Sequence, residues 1–361
     1  MALLEYKCPA CAGKLEFNAN AGKVKCPFCD SEFDMAMFEQ LDAALDSQVE
    51  ENLSWQTAST DTWSDSDNAG MAVYSCQSCG AQIVTDETTA ASKCPYCDNP
   101  IVMMGNLKGD LKPDLIIPFK LDKKAAKAEY TKHLSGKKLL PSVFSNQNHI
   151  DEIKGVYVPY WIFDSKAEAS MQYDCTTVNS FNVGEWRVTE TQHYKAFRSG
   201  SLEFENIPVD ASKKIEDSLT ESLEPFDLSQ AVPFQTAYMA GYMADRYDVT
   251  AEDDAERVNA RVKTSTERTF ADSVAGYSSV AVTESNINLK NGTAKYALLP
   301  VWIMNTTWKG NNYIFAMNGQ TGKFVGDLPC DESLKKKITW GTAAIAAIAT
   351  FAVGFLIHLF T

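Results

Sequence analysis

The chain has 361 residues, 45% of them hydrophobic and 22% charged, with a formal net charge of −14. Such a composition excludes a disordered polar chain and suits two or three globular domains. The acidic excess argues against a protein whose main task is to neutralise nucleic-acid phosphate. The opening "MALLEYKCPA" shows no basic and apolar export signal, so the ten cysteines are expected to stay reduced rather than form disulfides.

From the N-terminus, Cys8 and Cys11 precede Cys26 and Cys29 across fourteen residues, and Cys76 and Cys79 precede Cys94 and Cys97 across fourteen residues. The decapeptide "VKCPFCDSEF" around the first downstream pair nearly recurs as "SKCPYCDNPI" around the second. The pattern C-x2-C-x14-C-x2-C lies close to the zinc-site template. A Cys-x-x-Cys turn aims two thiolates at one point, and a hairpin joining two such turns completes a tetrahedron around a metal. Two ribbons are therefore predicted at 1–33 and 73–105, each holding one Zn2+, with iron as the alternative metal. "CPYC" also resembles a glutaredoxin motif, but Asn99-Pro100 turns the chain where that motif should open a helix. Gly80 supplies the usual knuckle glycine after Cys79, whereas the first ribbon has the order Ala12-Gly13, a departure expected to distort a turn without removing a ligand.

Ribbons of this kind are common in nucleic-acid machinery, but their charge here is wrong for it. Residues 5–33 balance four lysines against four acids, and residues 74–101 set Lys93 against Asp86, Glu87 and Asp98. A Zn2+ held by four thiolates adds a further two negative charges to each. Nucleic acid is therefore not the expected partner.

Between the ribbons, 34–72 carries nine acids and no Lys or Arg. Phe38, Leu41, Leu45 and Val49 recur at helical spacing behind Asp34, which predicts a short amphipathic helix. "SWQTASTDTWSDSDNAG" then reads as linker. Its Trp55 and Trp63 either pack back on a folded part or form a docking peptide for a partner.

The region 106–330 reads as α+β with antiparallel sheets and weak internal duplication, in halves 106–210 and 211–330. A helix capped by Asp122 and ended by Gly136 follows "LIIPFKL"; another opened by Thr250 follows "VPFQTAYMAGYMADRYDV". P-x-W-I recurs at Pro159 to Ile162 and Pro300 to Ile303. A further helix is expected from about Ser212 to Leu223, a hairpin turn at Asn291-Gly292, and a meander through "WKGNNYIFAMNGQTGKFVGD". No catalytic constellation emerges, and the expectation is a protein that is not an enzyme. His133, His149, His193 and His358 are scattered, the stretch Gly319 to Lys323 lacks the phosphate-loop spacing, and Cys175 and Cys330 have no CxxC partner.

From Ile338 to Phe360 there is no charged residue. A helix of that length would span about 34 Å, against about 30 Å of hydrocarbon. The segment 331–361 is thus predicted to be a basic juxtamembrane stretch (Lys335 to Lys337) and a transmembrane tail anchor. By the positive-inside rule the protein would be a single-pass cell-membrane protein with a cytoplasmic N-terminus. Ala346, Thr350 and Gly354 offer a small-residue stripe for self-association in the bilayer.

The two quartets, "IIPFKLDKKAAKAEY", "YVPYWIFD" and the apolar tail together resemble a bacterial group of TFIIB-type zinc-ribbon membrane proteins of the YdjG kind, often labelled primosomal-helicase-like. The resemblance implies a membrane-bound, non-enzymatic component with SPFH (flotillin-like) or phage-shock-type membrane proteins as partners. The reading is a membrane-anchored, cytosol-facing double zinc-ribbon adaptor or scaffold that recruits proteins. Its alternative is a zinc-ribbon nucleic-acid-binding regulator, helicase-accessory-like and without motor activity.

Overall fold

A computed structural model gives the structure of the chain and describes residues 8, 15–18, 22–35, 53–64, 70–86, 89, 93–105, 110–146, 150 and 152–360, with the side chains of 354–360 outside that description. The amphipathic helix expected after Asp34, the Ala12-Gly13 turn and the side chain of His358 lie outside the described residues, as do His149 and Cys11.

In chain order the strands and helices are β1 (Glu16–Asn18), β2 (Lys23–Lys25), β3 (Glu32–Asp34), β4 (Gln56–Thr57), β5 (Met71–Cys76), β6 (Gln82–Asp86), β7 (Ile101–Gly105), β8 (Leu115–Ile116), α1 (Lys123–Leu134), β9 (Lys154–Val183), β10 (Trp186–Asp210), α2 (Asp217–Leu223), β11 (Val232–Pro233), β12 (Met243–Asp245), α3 (Ala255–Asp272), β13 (Ser279–Trp308), β14 (Asn311–Asn318), β15 (Phe324–Val325) and α4 (Glu332–Phe360). β1-β2-β3 form a small antiparallel sheet of their own. The other strands follow the order β11-β8-β13-β9-β12-β6-β5-β7, with β10 on β9, β14 and β4 on β13, and β15 on β14.

The expected class, α+β with antiparallel sheets and a membrane helix, is corrected on three counts. The described residues are mostly β, with four α-helices. The main sheet is mixed, since β12 runs parallel to β9, and β8 and β4 run parallel to β13. No helix among the described residues is long and apolar enough to cross a membrane. α4 opens on Glu332 and carries Lys335 to Lys337 within its first two turns. The transmembrane tail anchor is overturned with it, and so is the single-pass membrane location with a cytoplasmic N-terminus that rested on it. The small-residue stripe read for the bilayer falls too, and Gly354 lies outside the described side chains.

The chain divides into two compact units, one of residues 1–58, 162–209 and 251–294, the other of 59–161, 210–250 and 295–361. In the first, every second residue of β9 from Phe163 to Cys175 is buried, the period of a strand with one covered face. α3 buries Val258, Val262, Thr266 and Phe270, a four-residue step that puts one stripe inward. Glu267 of α3 accepts from Ser285 Oγ at 3.0 Å, and Arg261 donates to the Pro208 carbonyl at 2.7 Å. Trp55 belongs to this unit: its Nε1 donates to Asn259 at 2.8 Å and its ring packs edge-on against Phe163. The turn expected at Asn291-Gly292 is instead a kink inside the continuous β13, with Asn291 at φ +56°. Glycine is required there for another reason. A Cβ at 292 would stand 2.7 Å from the Ser54 carbonyl, on the chain leading into β4.

In the second unit α1 is capped by Asp122, whose carboxylate accepts from the Ala125 N–H at 2.7 Å. The helix buries Ala126, Tyr130 and Leu134 among Phe144, Ile150, Ile153, Trp302, Met304, Phe315 and Met317. The β13-β14 hairpin turns at Lys309-Gly310, both at positive φ, and β15 completes the expected meander. α2 is shorter than the segment from Ser212: Ser212 donates to Asp245, and the Lys213 N–H and Lys214 Nζ both donate to Asp248, which holds 212–214 out of helix. Both P-x-W-I tryptophans are buried here, Trp161 donating to the Val249 carbonyl at 2.9 Å and Trp302 to that of Leu121, just ahead of α1, at 3.0 Å. Trp63 is buried against Phe234. Of the two readings of the linker tryptophans, packing on a folded part is the one the structure displays.

Candidate metal centres

Three of the four Cys-x-x-Cys turns lie wholly within the described residues and share one backbone. In each, the N–H four residues on returns to the first cysteine's carbonyl: Asp30 to Cys26 at 2.9 Å, Gly80 to Cys76 at 2.9 Å, Asp98 to Cys94 at 3.1 Å. The first cysteine's own N–H goes to the carbonyl one residue further, on Ser31, Ala81 and Asn99. The residue after the second cysteine is left-handed each time, with φ of +58° at Asp30, +71° at Gly80 and +61° at Asp98. Glycine and aspartate are among the residues that reach this region most readily, which is why the sequence places them there.

The turns bring the sulfurs together. Cys76, Cys79, Cys94 and Cys97 form one group and Cys8, Cys26 and Cys29 another, with all sulfurs of a group within 4.8 Å of one another. The closest pairs are Cys76–Cys97 at 3.4 Å, Cys79–Cys94 at 3.6 Å and Cys8–Cys29 at 3.6 Å. A disulfide would need about 2.05 Å. A tetrahedron of metal–sulfur bonds of about 2.3 Å has edges of about 3.8 Å, so the donor set fits a metal ion. Both clusters can therefore hold one.

Backbone and side-chain N–H groups point at the second set of sulfurs. Burial pushes the Cys79 thiol up to about 11 against the N–H of Ala81, and burial likewise raises Cys94 against the N–H groups of Tyr96 and Cys97. At Cys97 burial also raises the thiol, but hydrogen bonds from the Asn99 side chain and backbone outweigh it and bring it down to about 7. N–H groups aimed at sulfur favour the thiolate that a metal requires.

The second centre is built into its unit. β5 and β6 are mostly buried, and β6 pairs with β12 through Val84–Ala244 and Ile83–Asp245. Tyr96, inside the CPYC knuckle, is 3% exposed, and its hydroxyl donates to Asp245 Oδ2 at 2.8 Å. Ser212 donates to the same oxygen at 2.8 Å, and Asn305 Nδ2 donates to the Tyr96 carbonyl at 2.6 Å. Lys154 Nζ reaches the Cys94 carbonyl at 3.1 Å and Asp98 at 2.8 Å. Burial drives Asp245 up to about 7 and, with Asp245 beside it, holds the Tyr96 hydroxyl well above the usual range. Sequence reasoning missed this seat of Tyr96, Asp245, Ser212, Asn305 and Lys154. Its one signal was Tyr96 standing where the first copy has Phe28.

The remaining candidates have local surroundings. His133 lies on α1 against Phe324, beside Lys137, its basicity lowered by burial and by that lysine. His193 is exposed on β10, Cys175 is buried on the covered face of β9, and Cys330 is exposed.

No protein-family model matches the chain, and no solved structure matches it. It is 34% identical over 327 residues to the uncharacterized protein YdjG of Bacillus subtilis (strain 168), an alignment covering 91% of this chain and 90% of that protein. With that identity sustained over nine-tenths of both sequences, the chain belongs to the YdjG family.

Proposed function

We propose that the protein is a double zinc-ribbon adaptor, in which Cys8, Cys11, Cys26 and Cys29 hold one Zn2+ and Cys76, Cys79, Cys94 and Cys97 a second, in ribbons of the TFIIB type. The observation that carries the reading is the second cluster: four sulfurs within 4.8 Å, backed by N–H groups, on a knuckle held by the rest of its unit. Closed sets of four thiolates make structural zinc sites, with no position left for a substrate or a water. The metal then fixes the shape of a surface, and a shaped surface that performs no chemistry binds other macromolecules. The charge balance of both ribbons favours proteins over nucleic acid.

The test begins with elemental analysis of the purified full chain, expected to give two zinc ions per chain, and one after Cys26→Ser. A single ion, or iron in place of zinc, overturns the metal assignment. Affinity capture from cells should then retain a defined protein with the wild-type chain and lose it when a ribbon is emptied. Submicromolar binding of DNA that weakens steeply with salt would favour the nucleic-acid regulator instead.

A further inference from the structure

The two copies of the knuckle differ in one aromatic residue and in what surrounds it. Aligned on their cysteines, Lys25, Phe28 and Asp30 correspond to Lys93, Tyr96 and Asp98. The backbone turns have the same hydrogen bonds, and the lysine–aspartate pair is present in both, Lys25–Asp30 at 3.1 Å and Lys93–Asp98 at 3.6 Å. The second knuckle is covered. Tyr96 fills a seat that leaves it 3% exposed, and Lys154 closes over the rim by pairing with Asp98 at 2.8 Å. The first knuckle offers the same two elements to solvent, with Phe28 73% exposed and the Asp30 side chain 84% exposed.

We propose that the first ribbon docks by its Phe28–Asp30 knuckle on a second protein, whose surface supplies an apolar socket for the ring and a lysine or arginine at the rim for the carboxylate. The partner's chemistry is read from the chain's own solution to the same problem, with Lys154 as the template for the cation and the seat of Tyr96 as that for the socket. One difference specifies the partner further. Tyr96 donates to the buried Asp245, whereas Phe28 has no hydroxyl, so a seat with a buried acceptor would be left short of a donor by it. The socket is therefore apolar throughout. That also removes the Tyr96 seat of a second copy of this chain as the socket, because the seat at Asp245 needs a hydroxyl and is filled by Tyr96.

This inference rests on the adaptor reading and narrows it to one face. The test places benzoylphenylalanine at position 28, and separately at Phe17, also exposed on the same ribbon, in the full chain expressed in its own cells. Irradiation should give one dominant protein adduct from position 28, with the attachment point mapped among apolar residues beside a lysine or arginine. In the same chain Asp30→Asn, which removes the charge and keeps a residue tolerant of positive φ, should cut the adduct at least fivefold while the zinc content is unchanged. Adducts on a second copy of the chain, on nucleic acid or on lipid overturn the proposal, as does an adduct indifferent to Asp30→Asn. An adduct from position 17 with none from position 28 removes this face and leaves the adaptor reading standing. Loss of zinc from an otherwise folded chain would fail the adaptor reading itself.

Discussion

"VKCPFCDSEF" and "SKCPYCDNPI" fold into the same turn, present their sulfurs in the same way and then meet opposite surroundings. In the second ribbon the knuckle aromatic is core, two of the three strands, β5 and β6, are mostly buried, all three lie in a large mixed sheet, and a lysine from β9 binds the knuckle carbonyl. In the first, the strands form a three-stranded sheet with exposed or half-buried residues, and the aromatic faces water. The two copies share the cysteine turn and differ in what covers its outer face. A ribbon's fold depends on its ion because it has almost no apolar core. The second copy is part of a larger core, while the first, on the proposed reading, would rely on its ion.

The largest test of that difference is to empty each site. Cys94→Ser removes a ligand from a centre embedded in the sheet and should cost the second unit about 4 kcal/mol or more, or about 10 °C of melting temperature. Cys26→Ser should lose the same single ion yet leave the main calorimetric transition in place. Equal losses from the two variants would break the contrast.

What the sequence revealed follows from how local each constraint is. Cysteine spacing, the Asp122 cap and the meander through β14 and β15 are each set within a few residues, and each was readable. The 30-residue strands β9 and β13 were not, because their continuity depends on distant partners. Asn291-Gly292 is a turn signal by composition, yet here the glycine serves the close passage of Ser54 and Trp55. The Tyr96 seat draws on residues 116 to 209 positions away, such as Ser212, Asp245 and Asn305. The apolar tail misled as well: the uncharged run 338–360 predicted a membrane span, yet no helix among the described residues is long and apolar enough to cross a membrane.

A smaller effect is expected from the knuckle aromatics themselves. Tyr96→Ala opens a cavity in a closed seat and leaves Asp245 without one donor, which should cost about 3–5 kcal/mol in denaturant titrations. Phe28→Ala removes an exposed ring and should stay within about 0.5 kcal/mol of wild type. Should Phe28→Ala prove as costly as Tyr96→Ala, the first knuckle would be packed in the free chain and unable to serve as a docking face.

The seat also predicts a pH dependence confined to the second unit. Burial raises Asp245 from 3.8 to about 7, so the folded state holds a proton that the unfolded chain releases between those values. The stability tied to this group is full below about pH 4, falls as pH rises toward about 7 and is level beyond it. Asp245→Asn should remove that slope. The check is the difference between wild type and variant in urea midpoint at pH 5.5 and at pH 8, since acid effects on the cysteines cancel in it. A difference that does not change with pH would mean that Asp245 is ionised in its seat.

The finest discrimination lies in the two lysines that meet the knuckle aspartates. Lys154 is largely buried, pairs with the partly buried Asp98 and also donates to the Cys94 carbonyl; burial alone would raise the Asp98 carboxyl, but the hydrogen bonds and charges of Lys154 and Lys93 hold it below the usual range. Lys154→Met keeps the apolar stem and removes both bonds, and should cost about 1–2 kcal/mol, more at neutral pH than in acid, because a carboxylate with a lowered pKa gives up its contribution as pH falls through that value. Lys25 pairs with Asp30 at the fully exposed knuckle, where solvent and salt screen the attraction. Lys25→Met should therefore leave the melting curve where it was at any salt concentration. A matching penalty at Lys25 would show that an exposed pair organises the first turn as firmly as the covered pair does the second, and the two knuckles would then differ only in their aromatic residue.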